Sequence, residues 1–128
     1  MDFIHKKDII ALKSDFQDSY QLLWNENSGS ERITITKVHV FPGKTNGRHQ
    51  HEHSEQVWIA IKGKGTLLLA DDATQEFNEG DVVRFADNDI HGITNSSNEE
   101  FIYISVTSPP INFRYAYKSG ELLLKDLS

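Results

Sequence analysis

No cysteine occurs among the 128 residues, so disulfides and thiolate metal sites are both excluded. Any metal the chain binds must be held by nitrogen and oxygen. Positive charge is also in short supply: 13 Lys and Arg stand against 19 Asp and Glu, a formal charge of -6, which argues against a nucleic-acid surface. No apolar run approaches the length of a membrane span. The opening residues, MDFIHKKDII, lack the apolar core of a secretory signal, so the cytoplasm is the expected location. With 38% apolar and 25% charged residues, the remainder has the make-up of an ordinary globular chain. Its length suits one domain, residues 1–128, with a core of useful size.

Strand signals dominate what is present. Residues 32–41 alternate, with Ile33, Ile35 and Lys37 on one face and Thr34, Thr36 and Val38 on the other. Pro42 and Gly43 end this strand, and residues 44–47 read as a polar loop. Residues 57–61 have high strand preference and close at Gly63 and Gly65. Downstream, short strands are expected over 66–70, 74–77, 82–85, 90–94 and 101–107, separated by turn-prone Asp, Asn and Gly clusters. Residues 20–26 read as an earlier strand. The first 16 residues admit two readings, a short helix begun at Asp8 or an edge strand at 3–5. Beyond Pro109 and Pro110, residues 111–117 are strand-like, with Phe113, Tyr115 and Tyr117, and 122–124 are apolar. Many short strands at close spacing imply an all-β sandwich or barrel.

Chemistry concentrates in RHQHEHSEQ, residues 48–56. His49, His51 and His53 occupy alternate positions, and alternate residues of a strand share a face. His49 and His51 can therefore present two imidazoles to one point, as a divalent transition metal requires. Glu55 and Gln56 follow at once. A second cluster, GDVVRFADNDIHGITN, adds His91.

Read together, the two clusters resemble the two cupin motifs. Gly43, His49, His51, position 56 and Gly63 fit the spacing of the first, with Gln56 where an acid usually stands. Gly80, His91 and Asn95 fit the second, while Ala86 and Asn88 replace its Pro and Gly. Asn88 is a mild departure, because Asn tolerates the left-handed backbone that Gly supplies in a turn. The resemblance implies a double-stranded β-helix, a small jelly roll, over about residues 33–107. It also implies extensions at both ends that contribute to a homodimer, and convergence of His49, His51, Gln56 and His91 on one divalent transition metal ion per chain. Iron, manganese, nickel, zinc, cobalt and copper all suit such donors. Glu55 is the other reading of the fourth ligand. Positions 55 and 56 face opposite ways on a strand, so only one can point inward, and motif register favours Gln56. The apolar partners do not decide it, since Trp58 and Ala60 would follow Gln56, and Val57 and Ile59 would follow Glu55.

The remaining polar residues have plainer readings. His53 reads as a turn residue at the rim or as a support behind the metal ligands, Arg48 and Arg84 as anion contacts or ordinary surface arginines, and Asn95 as the support of the turn after His91. Trp58 suits either a pocket wall or the core. The function implied by the resemblance is a metal-dependent enzyme, an oxygenase, lyase or isomerase. Its ligand would be a small oxygen-rich molecule: an organic acid, an enol or a sugar derivative. The alternative is a non-catalytic module that only binds or senses such a ligand. No nucleic acid and no membrane is expected among its partners.

Overall fold

The computed structural model describes residues 1–111. Ten strands form two antiparallel sheets. The strands are β1 (Ile10–Lys13), β2 (Gln17–Leu23), β3 (Thr34–Val40), β4 (Thr45–His49), β5 (Glu55–Lys62), β6 (Lys64–Leu69), β7 (Thr74–Asn78), β8 (Val82–Phe85), β9 (His91–Thr94) and β10 (Phe101–Ser108). One sheet has the order β1-β2-β3-β10-β5-β8 and the other β4-β9-β6-β7. The fold is the all-β, double-stranded β-helix that the motifs imply. No helix among the described residues is long and apolar enough to cross a membrane.

Several strands lie where patterning expects them, and β8 matches residue for residue. The N-terminus departs from expectation. A single 3-10 turn, Lys6–Asp8, precedes β1, and neither a longer helix nor a strand at 3–5 forms. β2 begins three residues earlier than residues 20–26 suggest, and both N-terminal strands extend the larger sheet beside β3. The apolar tail residues Phe113, Tyr115, Tyr117 and 122–124 lie outside the described residues.

The inner faces enclose a core drawn from both sheets. Val38, Val40, Trp58, Ala60, Phe85, Phe101 and Tyr103 come from the larger sheet, and Leu67, Phe77 and Ile93 from the smaller. The interior is graded along its length. On β10 the inward residues run Phe101, Tyr103, Ser105, Thr107; on β3 they run Val40, Val38, Thr36, Thr34; on β5 they run Ala60, Trp58, Gln56. The strand register aligns these series, pairing Thr107 with both Thr34 and Gln56, and Gln56 in turn with Phe85. One end of the barrel is thus hydrocarbon, and the other is lined by hydroxyls and an amide. Burying polar groups is unfavourable unless they find partners, which marks the polar end as the candidate site.

Close backbone approaches hold the ends of strands together. Gly63, between β5 and β6, has φ +93°, and a Cβ there would lie 2.9 Å from the Glu100 carbonyl oxygen. Only glycine meets both demands.

Candidate metal centre

Three imidazoles meet at the polar end. His49 closes β4, His91 opens β9 opposite it as its register partner, and His51 lies in the loop between β4 and β5. Their ring centroids are 5.2 Å (His49–His51), 4.5 Å (His49–His91) and 5.1 Å (His51–His91) apart, and one nitrogen from each lies within 4.8 Å of the others. The loop is set by local chemistry. The Asn88 amide donates to the His51 carbonyl at 2.8 Å, and Asn88 takes a left-handed φ of 69°. The turn before His91 is thereby tied to the loop that carries His51.

Hydrogen bonds fix two of the rings. Nδ1 of His49 lies 2.8 Å from the Gly47 carbonyl and Nδ1 of His91 2.8 Å from the Asp89 carbonyl. A carbonyl only accepts, so each Nδ1 carries the proton and each Nε2 keeps a lone pair. His91 Nε2 is buried and meets no hydrogen-bond partner. Phe85 stacks on the His91 ring at 4.4 Å and 14°, and Trp58 meets it edge-on at 5.5 Å, so the ring has little freedom. Burial lowers the pKa of all three rings. His49 falls below its usual 6.5, with the Gly47 bond opposing; His51 falls to about 4 and His91 to about 3, each lowered further by the His49 charge. At neutral pH the rings are therefore neutral, the form in which imidazole ligates a metal. An orphaned, desolvated nitrogen lone pair beside two more imidazoles is a donor set that suits a divalent transition metal.

The register of β5 turns Gln56, Trp58 and Ala60 inward; Glu55 lies outside, where its carboxylate accepts from Arg84 Nε at 2.7 Å. Gln56 is buried. Its Nε2 donates to the Thr107 hydroxyl and its Oε1 accepts from the Trp58 indole, both at 3.0 Å. Arg48 is occupied too: Nε donates to the Leu69 carbonyl at 2.7 Å and Nη2 to the Ala73 carbonyl at 3.3 Å, clamping the turn between β6 and β7. Neither arginine is available inside the barrel. The His53 side chain is 86% exposed beside Glu52. The Asn95 amide donates to the Val40 and Glu99 carbonyls, and its oxygen accepts from Ser97, which holds the turn after β9. Sequence reasoning missed Thr107 and Phe85. Thr107 carried a signal, since with Ser105 it places a hydroxyl at an inward-phased position of a strand that begins apolar.

A family model described as Cupin domain matches residues 36–107, more than half of the chain. Solved structures share the fold at low identity. The polyketide cyclase RemF from Streptomyces resistomycificus superposes with a TM-score of 0.74 at 21% identity, covering 86% of this chain and 80% of that one. Ectoine synthase from P. lautus gives 0.73 at 16%, covering 86% and 79%. KdgF from Halomonas sp. gives 0.70 at 17%, covering 86% and 95%. A search of curated proteins gave no match.

Proposed function

The chain belongs to the cupin family, and from that membership we propose that it is a small metal-dependent cupin. It holds one divalent transition metal per chain through His49, His51, His91 and Gln56 and acts on a small oxygen-rich organic molecule. The observation that carries the reading is the meeting of three neutral imidazoles, one with an unpartnered buried nitrogen, at the polar end of the barrel. When bound, the ion would supply Lewis acidity that polarises a carbonyl, and a redox-active ion such as iron would in addition supply the electrons that activate dioxygen. All four donors are uncharged, so the centre keeps the full charge of the ion and favours an anionic oxygen of the ligand. The chain's own contribution is positional. Backbone carbonyls fix the tautomers of His49 and His91, Phe85 and Trp58 brace the His91 ring, and the closed core behind them excludes water. The working form is a homodimer located in the cytoplasm.

One observation favours the second reading, a module that binds without turnover. A turnover reaction would need a general base, and the two acid–base side chains that flank the ligand cluster in sequence are both directed elsewhere, Glu55 to Arg84 and His53 to the exposed rim. Elemental analysis of protein from metal-supplied cells, purified without chelator, tests the shared premise. About one transition metal per chain is expected. His51→Ala and His91→Ala should each lose most of it while far-UV circular dichroism is unchanged, and Glu55→Gln should change it little. Unmodified protein with no metal overturns the reading. Turnover of hydroxy acids, enols or uronates by the metal-loaded protein then separates the enzyme from the binding module.

A further inference from the structure

We infer that Trp58 and Thr107 are positioning residues that set the Gln56 carboxamide, oxygen first, for the metal; the inference rests on the metal reading above. The two ends of an amide are told apart by their partners. An indole N–H can only donate. The end of Gln56 that meets Trp58 Nε1 at 3.0 Å is therefore the carbonyl oxygen, and the NH2 end faces the Thr107 hydroxyl, which accepts at 3.0 Å. Reversing the amide would set N–H against N–H at Trp58.

Backbone geometry fixes both partners. Trp58 lies two residues along β5, on the same inward face as Gln56. Thr107 is the cross-strand partner of Gln56 on β10. Trp58 is itself buried and packed on two sides: it stacks on Tyr103 at 4.3 Å and 29° and meets Phe85 edge-on at 5.0 Å. All three members of the chain Trp58–Gln56–Thr107 are at most 4% exposed. The indole takes one of the two lone pairs of Oε1, and the other is left for a ligand. Trp58 also meets the His91 ring, so the same side chain that orients the amide braces one of the imidazoles.

The Thr107 hydroxyl gives the position a second property. A hydroxyl accepts or donates as its partner demands. With Gln56 it accepts, and with Gln56→Glu it would donate to the second carboxylate oxygen while Trp58 donates to the first. The supports of position 56 therefore tolerate either ligand, whereas Thr107→Val leaves a buried amide N–H without an acceptor. Trp58→Phe removes the donor that forbids reversal of the amide.

Cobalt(II) binding to the metal-stripped full chain tests this. A competing chelating dye reads affinity, the visible absorption bands of Co(II) read the donor set, and circular dichroism reads folding. Thr107→Val and Trp58→Phe should each weaken Co(II) binding by about tenfold or more and shift its bands, as loss of groups that orient metal ligands does. Thr107→Ser should restore both readouts. In a Gln56→Ala background, neither substitution should weaken binding further, because Trp58→Phe keeps an aromatic ring beside His91 and removes only the indole donor. Gln56→Glu should bind more tightly than the unmodified chain. The inference is overturned if Gln56→Ala weakens binding while Thr107→Val and Trp58→Phe match the unmodified chain, or if their losses persist in the Gln56→Ala background. It also falls, with the three-histidine centre left standing, if Gln56→Ala keeps the affinity and bands of the unmodified chain. Should Thr107→Val fail to fold, Trp58→Phe carries the same comparison. If the unmodified chain takes up no Co(II), the metal reading itself fails, an outcome distinct from the others.

Discussion

His91 holds a proton on Nδ1 against the Asp89 carbonyl, and its buried Nε2 meets no hydrogen-bond partner. In the metal-free folded chain this ring and its neighbours resist protonation, His91 down to about pH 3 and His51 to about pH 4. The unfolded chain protonates them near 6.5. Below pH 6.5 the unfolded state therefore binds more protons than the folded one, and stability must fall as pH falls, until the folded pKa values are reached. Each ring contributes up to about 1.4 kcal/mol per pH unit inside that window. Melting temperatures of the metal-free protein should decline from pH 6.5 towards 4, and more steeply than those of the His91→Ala variant. Equal slopes for the two proteins would refute the assignment. A bound metal should deepen the decline, because protons and metal compete for the same nitrogens. At this scale the sequence was partly legible. Asn88 could be read as a left-handed turn residue in place of glycine, and it adopts that backbone. The inward choice between Gln56 and Glu55 rested on motif register alone, because both alternating sets on β5 are apolar. The physical difference is that Glu55 has Arg84 across the strand pair, whereas Gln56 has Trp58 and Thr107.

Strand β4 illustrates how an element can escape patterning. Its sequence, TNGRH, has little strand preference and reads as part of a polar loop. It pairs with β9 because Gly92 lets the backbones close: a Cβ there would lie 2.8 Å from the Asn46 carbonyl oxygen and 2.9 Å from the Gly47 backbone. That approach sits beside the register pair His49 and His91, so it also sets the separation of two imidazoles. Gly92→Ala should force β4 away from β9. The expected cost is about 1–3 kcal/mol of stability, typical of an overpacked interior, together with loss of most bound metal. Urea unfolding and elemental analysis measure the two effects, and metal retention at the unmodified level would refute the link between this contact and the centre. β2 was misplaced for a related reason. Its inward residues Gln17, Ser19 and Gln21 are buried but polar, so the strand lacks the apolar alternation by which β10 was found.

At the scale of the molecule, the larger sheet has two unlike faces. Its inner face closes the barrel. Its outer face carries Ile35 on β3, Ile104 and Val106 on β10, and Val57 and Ile59 on β5, which the strand register sets side by side. All five are only half-buried in the single chain, and Ile61 and Val82 at the margin are exposed. A β-branched patch of this kind is costly to leave in water and suits the matching face of a second copy across a two-fold axis. The resemblance implied a homodimer joined through the terminal extensions, whereas the outer sheet face supplies a separate reason, one that alternation alone hid because both faces of β5 are apolar. Light scattering at micromolar concentration should give about twice the 14.6 kDa chain mass. Ile104→Arg, at the centre of the patch and pointing away from the metal centre, should halve the mass while leaving metal content per chain unchanged. A monomer for the unmodified protein removes the dimer. A dimer that survives Ile104→Arg moves the interface off this face and onto the terminal segments.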